Sequence, residues 1–261
     1  MNKTPRLSKT GIEYGDLSWN FYPGCLHKPQ GICPVPNCWA EGMSKRQRED
    51  FHNPHLIPER LLSPLRHKKP ARILVNFMGD LFGDWVDPEM LFNPIGNTVG
   101  WLRGAVFNTI LACPQHTFIF LTKNPAGLLK WGRFPENCWV GFTACNRDIL
   151  LSGCKVMQTV EARVKFVSIE PMLEDAWCQS STLAFAGIKW IIIGAQSRPT
   201  VMPELEWVEY MVAVANKAGC RVFLKNNIKP LLATEINGQL VIESHNLWAF
   251  KFFKLRQELP E

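Results

Sequence analysis

The segment ARILVNFMGD, residues 71–80, contains an uninterrupted apolar run that stops at polar residues. Three further runs have the same character, FIFL (118–121), KFVSI (165–169) and WIIIG (190–194). Strands that are apolar throughout, and do not alternate with polar residues, are typical of parallel sheets covered by helices on both faces. These runs therefore predict an α/β fold.

Stretches that fit helices, among them residues 87–112, separate seven such strand-like runs along the chain. Only the stretch after VKFVSIEP is expected to be short and irregular. The runs are LSWNFYPGC, ARILVNFMGD, HTFIFLTK, CWVGFTACN, VKFVSIEP, IKWIIIGAQS and RVFLKN. This alternation suits a (β/α) barrel, partial or irregular, or an open doubly wound sheet. We favour the barrel because polar residues end nearly every strand. We expect one domain over residues 1–261, with 230–261 as a C-terminal extension.

The composition is that of a globular protein, with 46% hydrophobic and 20% charged residues among 261. The first residues contain no apolar segment of the signal-peptide type, and no run is long enough to span a membrane. We therefore expect a cytoplasmic protein without a membrane partner, whose nine cysteines stay reduced. The net charge of +6 permits a nucleic-acid or nucleotide partner without requiring one.

Polar residues follow the predicted strands at the edge where chemistry is found in parallel α/β folds. They are Gly79, Asp80, Lys123, Thr143, Asn146, Glu170 and Lys225. Charged side chains that directly follow buried strands are costly unless they are paired or functional. Lys123, Glu170 and Lys225 are therefore candidate catalytic residues, and a purely structural Lys–Glu pair is the alternative.

Three cysteines lie close together after the first strand: Cys25, Cys33 and Cys38, in the pattern C-x7-C-x4-C. With His27 they would form a Cys3His zinc site. Without a fourth protein ligand they would hold a 4Fe–4S cluster with one iron open to another ligand. A third possibility is that the loop holds no metal. We expect most of the other six cysteines to be small buried hydrophobic residues.

The sequence resembles a phage-associated, radical-SAM-like family of three-cysteine barrel proteins whose reaction is unassigned. The likeness rests on SWNFYPGC, CWAE, IPERLLSPLRHKKPARILVNFMGDLFGDWV, CPQHTFIFLTKNP, ENCWVGFTACN, VKFVSIEPML, KWIIIGAQS and AGCRVFLKNN, in this order over residues 18–227. It departs from the usual pattern in its wider cysteine spacing, in Trp39 where tyrosine is usual, and in the GAQS turn. The resemblance implies a radical-SAM-type barrel.

The resemblance also implies cofactors and roles for individual residues. Cys25, Cys33 and Cys38 would bind a 4Fe–4S cluster that cleaves S-adenosylmethionine (SAM) with an electron from an external donor. The expected SAM contacts are Gly79 and Asp80 at the amino group, Thr143 and Asn146 at the ribose, and Trp39 stacked on adenine or shielding the cluster. Glu170 would bind ribose or carry a proton, while Lys123 and Lys225 would hold an anionic substrate group or donate a proton.

Two other functions fit the same residues. The first is a zinc-stapled nucleic-acid-binding protein that uses Cys25, His27, Cys33 and Cys38 and performs no radical chemistry. The second is a metal-free (β/α) hydrolase that uses Glu170 and Lys123. Replacing all three cysteines by alanine distinguishes these two functions, because only the hydrolase would remain functional. The substrate and the oligomeric state do not follow from the sequence.

Overall fold

The structure is a computed structural model that describes residues 4–92, 100–236, 239–241, 249–251 and 254–261. The chain divides into two compact units. Unit 1 comprises Met1–Phe142 and Thr159–Arg163, and unit 2 comprises Thr143–Gln158 and Val164–Glu261. Within the described residues no helix is long and apolar enough to cross a membrane.

Unit 1 contains a mainly parallel sheet in the order β1-β2-β3-β6-β7. Only β1 runs antiparallel to its neighbour. The strands are β1 Ser8–Lys9, β2 Leu17–Trp19, β3 Arg72–Val75, β4 Leu91–Phe92, β5 Gly100–Trp101, β6 Thr117–Thr122 and β7 Cys138–Thr143. The helices are α1 Trp39–Gln47 and α2 Leu102–Leu111, with 3-10 helices at Pro58–Arg60, Ser63–Arg66 and Pro125–Trp131.

Unit 2 contains three parallel strands in the order β8-β9-β12. Its strands are β8 Val164–Ile169, β9 Ile188–Ile193, β10 Gln196–Ser197, β11 Thr200–Val201, β12 Arg221–Leu224, β13 Thr234–Ile236, β14 Gln239–Val241, β15 Phe250–Lys251 and β16 Lys254–Leu255. Its helices are α3 Arg147–Met157, α4 Ser180–Ala186, α5 Leu205–Lys217 and α6 Lys229–Leu232, with a 3-10 helix at Asn226–Ile228.

The predicted α/β class is confirmed, and all seven predicted strands are present as β2, β3, β6, β7, β8, β9 and β12. Ile73, Leu74, Ile191 and Ile192 are fully buried, as expected for strands covered on both faces. Among the described residues neither unit's strands close into a barrel by themselves. The radical-SAM-type barrel therefore stays a prediction.

Two local predictions were wrong. The stretch after β8, expected to be irregular, contains helix α4. This helix has seven residues and buries only Leu183 and Ala186, so its apolar pattern is too short to be recognised. The helix predicted from Asp87 onward begins only at Leu102, after β4 and β5 pair as antiparallel strands. Residues 93–99 of that predicted helix lie outside the described residues.

The last residues of the chain are attached to unit 2. The Glu258 carboxylate accepts a hydrogen bond from the backbone N–H of Val222 at 2.9 Å. The backbone carbonyl of Glu258 accepts a hydrogen bond from Trp190 Nε1–H at 2.8 Å. Gln257 forms an isolated antiparallel bridge with Phe223. The end of the predicted C-terminal extension thus supplies hydrogen bonds to β12 and to a core tryptophan of β9.

Two asparagines connect the segments that follow β2 and β3 in unit 1. Asn76 Oδ1 accepts the backbone N–H groups of Phe21 and Tyr22, at 2.9 and 3.0 Å. In return, Asn20 Oδ1 accepts the N–H of Met78 at 3.0 Å. Asn76 has a left-handed backbone with φ of 55°, which asparagine tolerates better than most residues. These bonds fix the start of the cysteine segment against the end of β3.

We expect Asn76→Ala to lower the free energy of unfolding by about 2 to 5 kcal/mol, because two buried N–H groups would lose their acceptor. Urea denaturation followed by circular dichroism measures the change. The control is Asn216→Ala, an exposed position of α5, which should change stability by less than about 0.5 kcal/mol. Equal effects of the two substitutions would contradict this role of Asn76.

Candidate metal and cofactor site

The first cysteine of the cluster lies at the carboxyl edge of the parallel β2–β3 pair. Gly24 forms an isolated parallel bridge with Gly79, and its N–H donates to the Met78 carbonyl at 3.0 Å. The next N–H, that of Cys25, donates to the carbonyl of Phe51 at 2.9 Å. The backbone of Cys25 is therefore fixed at the edge of the sheet where parallel α/β proteins place their functional groups.

The bridge requires glycine at both positions. A Cβ atom on Gly79 would lie 2.5 Å from the Gly24 carbonyl oxygen. Gly24 has φ of +100°, and a Cβ there would lie 2.7 Å from Pro54 Cα. Both glycines thus serve a close backbone approach. The predicted contact of Gly79 with the SAM amino group is not tested by this geometry and stays a prediction.

Hydrogen bonds fold the segment between the cysteines back on itself. The His27 carbonyl accepts the N–H groups of Ile32 and Cys33, at 2.8 and 3.2 Å. Lys28 Nζ donates to the Pro36 carbonyl at 2.8 Å. Cys38 then precedes α1 as its N-cap residue, with no hydrogen bond from its side chain to the helix.

Glu41, in the first turn of α1, holds the helix to the chain on both sides of the cluster. Its carboxylate lies 2.8 Å from Lys45 Nζ, 3.6 Å from Lys28 Nζ and 3.7 Å from His52 Nε2. The hydrogen bond from Lys45 is the main cause that lowers the pKa of Glu41. His52 Nδ1 in turn lies 3.2 Å from the Cys25 carbonyl oxygen. The Glu41 carboxylate thus links the helix that follows Cys38, through His52, to the backbone of Cys25.

The three clustered thiols are free and half-buried, whereas the other six cysteines are buried, as predicted. Burial raises the pKa of Cys25 to about 12, and the charges of Asp80, Cys38 and Cys33 act in the same direction. A hydrogen bond from the His27 backbone to the Cys25 thiolate opposes this rise. Since like charges of Cys33 and Cys38 reach Cys25, the three thiolates need a cation to coexist.

This donor set fits an iron–sulfur cluster in chemistry, because soft thiolates with backbone N–H donors are its usual surroundings. Among the described residues no three His, Cys, Asp or Glu side chains are placed to hold a metal ion. A single metal ion needs its protein ligands to meet at one point. In a cubane each cysteine binds a different iron. We therefore retain the three cysteines as predicted ligands of a cluster.

Asp80 is the most highly connected side chain near the cysteines, and it is only 4% exposed. Its Oδ2 accepts His27 Nε2–H at 2.7 Å, Thr122 Oγ1–H at 2.9 Å and the Lys123 N–H at 2.8 Å. Its Oδ1 accepts the Phe82 N–H at 3.0 Å. Three of these donors share Oδ2 and one binds Oδ1, so the carboxylate keeps one acceptor site, on Oδ1. The predicted contact of Asp80 with the SAM ammonium is not tested by this geometry and stays a prediction.

His27 is 1% exposed and lies between Asp80 and the aromatic ring of Trp85. The two rings meet edge to face with centroids 4.8 Å apart. Because the Asp80 carboxylate occupies Nε2, a neutral His27 presents a lone pair at Nδ1. Nδ1 has no hydrogen-bond partner within the described part of the chain. A metal-binding histidine has this same arrangement, with its second nitrogen on a carboxylate.

Two further predicted residues belong to unit 1. Trp39 is the first residue of α1 and is 52% exposed, so its ring is accessible beside Cys38. Lys123 is half-buried, and its backbone, through the bond to Asp80, is fixed at the end of β6. The structure thus gathers the cysteines, Asp80 and the Lys123 backbone in unit 1. The predicted roles of Trp39 and of the Lys123 side chain stay predictions.

In unit 2 the structure pairs two of the predicted catalytic residues. Lys225 Nζ lies 2.9 Å from Glu170 Oε1, and the two side chains are 12% and 23% exposed. Glu170 follows β8 and Lys225 follows β12, so the pair spans the carboxyl ends of the three-stranded sheet. A structural Lys–Glu pair, the alternative drawn from the sequence, is therefore present. A catalytic role for either residue stays a prediction.

Sequence reasoning missed Asn227, which fixes the backbone beside this pair. Its Oδ1 accepts the Ala195 N–H at 3.1 Å, and its Nδ2 donates to the Ala195 carbonyl at 2.7 Å. A Cβ on Gly194 would lie 3.1 Å from Glu170 Cγ and 3.2 Å from Asn227 Oδ1. The glycine of GAQS therefore allows the turn to pack against both side chains. The second asparagine of KNN, two positions after Lys225, was the available signal.

The two predicted ribose contacts of unit 2 occupy structural positions. Thr143 is 5% exposed at the end of β7. Asn146 is the N-cap of α3, and its Oδ1 accepts the Ile149 N–H at 3.0 Å. This capping hydrogen bond is sufficient to explain an asparagine at position 146 without any bound ligand. Their contacts with SAM ribose stay predictions.

Three cysteines that are far apart in sequence lie within electrostatic range of one another in unit 2. Burial raises the pKa of Cys154 to about 12 and those of Cys178 and Cys220 to about 11. Charge on Cys178 would raise the other two further. Such thiols stay protonated at neutral pH, which agrees with their predicted role as small buried residues.

Residues 9–230 match the sequence profile of the family described as "Protein of unknown function (DUF5131)". The chain belongs to this family. The match begins at the second residue of β1 and extends beyond β12, and it therefore includes all the predicted site residues. Searches of curated proteins and of solved structures give no significant match. The family description states no activity, so radical SAM chemistry and phage association do not follow from membership.

We expect Asp80→Asn to destabilise metal-free unit 1, because an amide places donors against groups that already donate. The expected loss is about 2 to 4 kcal/mol in the free energy of unfolding. Faster proteolysis of the 25–38 segment should accompany it. The matched control is Asp84→Asn, whose side chain is 66% exposed and bonded only to surface partners. If both variants unfold at the same urea concentration, the central role of Asp80 is wrong.

Proposed function

We propose that this protein is a radical SAM-type enzyme with a cytoplasmic setting and a barrel architecture. Cys25, Cys33 and Cys38 would hold a 4Fe–4S cluster. When bound, such a cluster supplies the electron, taken from an external donor, for reductive cleavage of SAM and hydrogen abstraction from substrate. The substrate class that the positive charge favours is a nucleic acid or nucleotide. Phage association belongs to the proposal only through the sequence resemblance.

The observation that carries the proposal is the position of Cys25. The Gly24–Gly79 bridge fixes it at the carboxyl edge of two parallel strands. The half-buried thiols of Cys33 and Cys38 lie on the same folded segment. A protein of this size with a buried core does not need a metal for folding, so three partly accessible thiols at this edge favour a functional cofactor.

The protein's own residues would bind and orient the reactants. Asp80 and Glu41 fix the segment that carries the three ligands, from the strand side and from α1 respectively. The His27 backbone N–H donates to the Cys25 sulfur, which stabilises its thiolate form. Because the Cys25 pKa is raised in the metal-free protein, cluster binding must displace its proton.

We expect anaerobically purified protein to be brown, with about four irons per chain, and to cleave SAM when reduced. Cys25→Ala, Cys33→Ala and Cys38→Ala should each lose most of the iron and abolish SAM cleavage. Cys178→Ala, which changes a buried thiol outside the cluster, should keep both. Iron and sulfide analysis, the visible spectrum and 5′-deoxyadenosine formation are the measurements. Zinc in place of iron in anoxic preparations would refute the proposal.

A second candidate function is a Cys3His zinc site in a nucleic-acid-binding protein. The unpartnered Nδ1 of His27, with Nε2 held by Asp80, is the observation that favours it. No three described His, Cys, Asp or Glu side chains meet at one point, so the segment would have to rearrange around the zinc ion. It predicts a colourless protein with one zinc ion per chain.

Cobalt substitution distinguishes this candidate from the radical enzyme. In a Cys3His site, His27→Gln should change the visible bands of bound Co²⁺ and weaken its affinity by about 10-fold or more. In the radical enzyme, His27→Gln should leave iron bound by the three cysteines. Retention of four irons by this variant would therefore exclude the zinc site.

A further inference from the structure

A cavity of about 270 Å³ lies in unit 1, outside the cysteine segment. It is lined by Arg6, Leu7, Ser63, Arg66 and His67. Its volume is close to the lower limit of about 300 Å³ for small-molecule pockets. Two of the five side chains are arginines, and none is acidic. The cavity therefore has the charge and the size for a small anion or an anionic group.

Ser63 supplies an unused hydrogen-bonding group in this cavity. Ser63 is 2% exposed, and its Oγ has no hydrogen-bond partner within the part of the chain that the structure describes. Buried hydroxyl groups are nearly always paired, since an unpaired one has lost its water without compensation. Because Oγ itself is buried, the side chain would have to rotate about χ1 towards the cavity before a ligand oxygen could accept its hydrogen.

The arginines retain donors for such a ligand. Arg66 Nη1 donates to the Thr4 carbonyl, which uses one of its five N–H groups. Arg6 and Arg66 are both exposed, and Arg6 makes no hydrogen bond or ion pair with any residue that the structure describes. None of the five described lining residues is a carboxylate that would compete for either guanidinium. Both cations are thus available to an anion.

The floor of the cavity is held rigidly. Ser63 and Arg66 belong to one 3-10 helix, and the N–H of His67 donates to the Pro64 carbonyl at 3.0 Å. The His67 carbonyl oxygen lies 2.8 Å from His116 Nε2 and 3.3 Å from Gln115 Nε2. The backbone of this floor therefore needs little reorganisation when a ligand binds, whereas the exposed side chains of Arg6 and Arg66 would be ordered by the ligand.

We propose that this cavity is a binding site for a phosphoryl group, held by the guanidinium groups of Arg6 and Arg66 and the hydroxyl of Ser63. Guanidinium forks match phosphate oxygens in geometry and charge, and two of them balance a dianion. The phosphoryl group would come from a nucleotide or from a nucleic-acid backbone. The site shares no residue with the cysteine cluster, so it stands whether or not the protein binds iron.

The test uses the full chain and three probes: inorganic phosphate, adenosine monophosphate and a single-stranded DNA 12-mer. Arg6→Gln/Arg66→Gln should weaken binding of the probe that binds best by about 10-fold or more. Ser63→Ala should weaken it several-fold without lowering the unfolding temperature, because that hydroxyl has no protein partner to lose. The control is Arg133→Gln, a 72% exposed side chain that pairs with Glu136.

The outcomes also identify the source of the phosphoryl group. Saturation by the mononucleotide indicates a nucleotide site. Tighter binding of the 12-mer, with a salt dependence whose slope falls by about one in the double variant, indicates a nucleic-acid backbone. The proposal is overturned if the wild type binds none of the probes at millimolar concentration, or if the double variant binds them as Arg133→Gln does. Equal iron content in all variants keeps this result separate from the cluster test.

Discussion

The Asp80 carboxylate is the interaction on which the rest of the candidate site in unit 1 depends. It joins three segments: the cysteine segment through His27, the end of β6 through Thr122 and Lys123, and its own turn through Phe82. At 4% exposure the carboxylate has lost nearly all of its water, so these four donors must replace it. Loss of one contact therefore affects segments that are distant in sequence.

This constraint connects stability with the proposed chemistry. The same carboxylate that satisfies a buried network also sets which nitrogen of His27 carries the hydrogen. It places negative charge near Cys25 and so contributes to the raised pKa of that thiol. A cationic cofactor bound by the cysteines would relieve this charge. The buried network and the Cys25 thiol are thus electrostatically linked.

Two asparagines show why local sequence rules did not reveal the site's framework. Asn76 and Asn20 exchange hydrogen bonds with backbone groups more than fifty positions away. Nothing in the residue type distinguishes such an asparagine from one in a surface turn. Asn227 is similar, since it clamps Ala195 across 32 positions. Their roles follow from the proximity of strand ends, which the sequence predicts only in general terms.

The sequence by itself determined the α/β class, the seven parallel-sheet strands and the grouping of three cysteines after the first of them. Uninterrupted apolar runs and close spacing are local properties, and a single pass along the chain reveals them. The sequence also indicated that Lys225 and Glu170 would lie at the same sheet edge. It did not determine that they pair, or that Asp80 would accept four hydrogen bonds from its own chain.

Tertiary structure alone decided these points, because each depends on which groups meet after burial. It placed His27 between a carboxylate and Trp85, brought Cys154, Cys178 and Cys220 within range of one another, and lined one cavity with Arg6, Arg66 and Ser63. The free energy of a buried polar group depends on its partners, and partners that are distant in sequence are set by packing. The apolar pattern fixes the strands, and the packing of their ends fixes the chemistry available there.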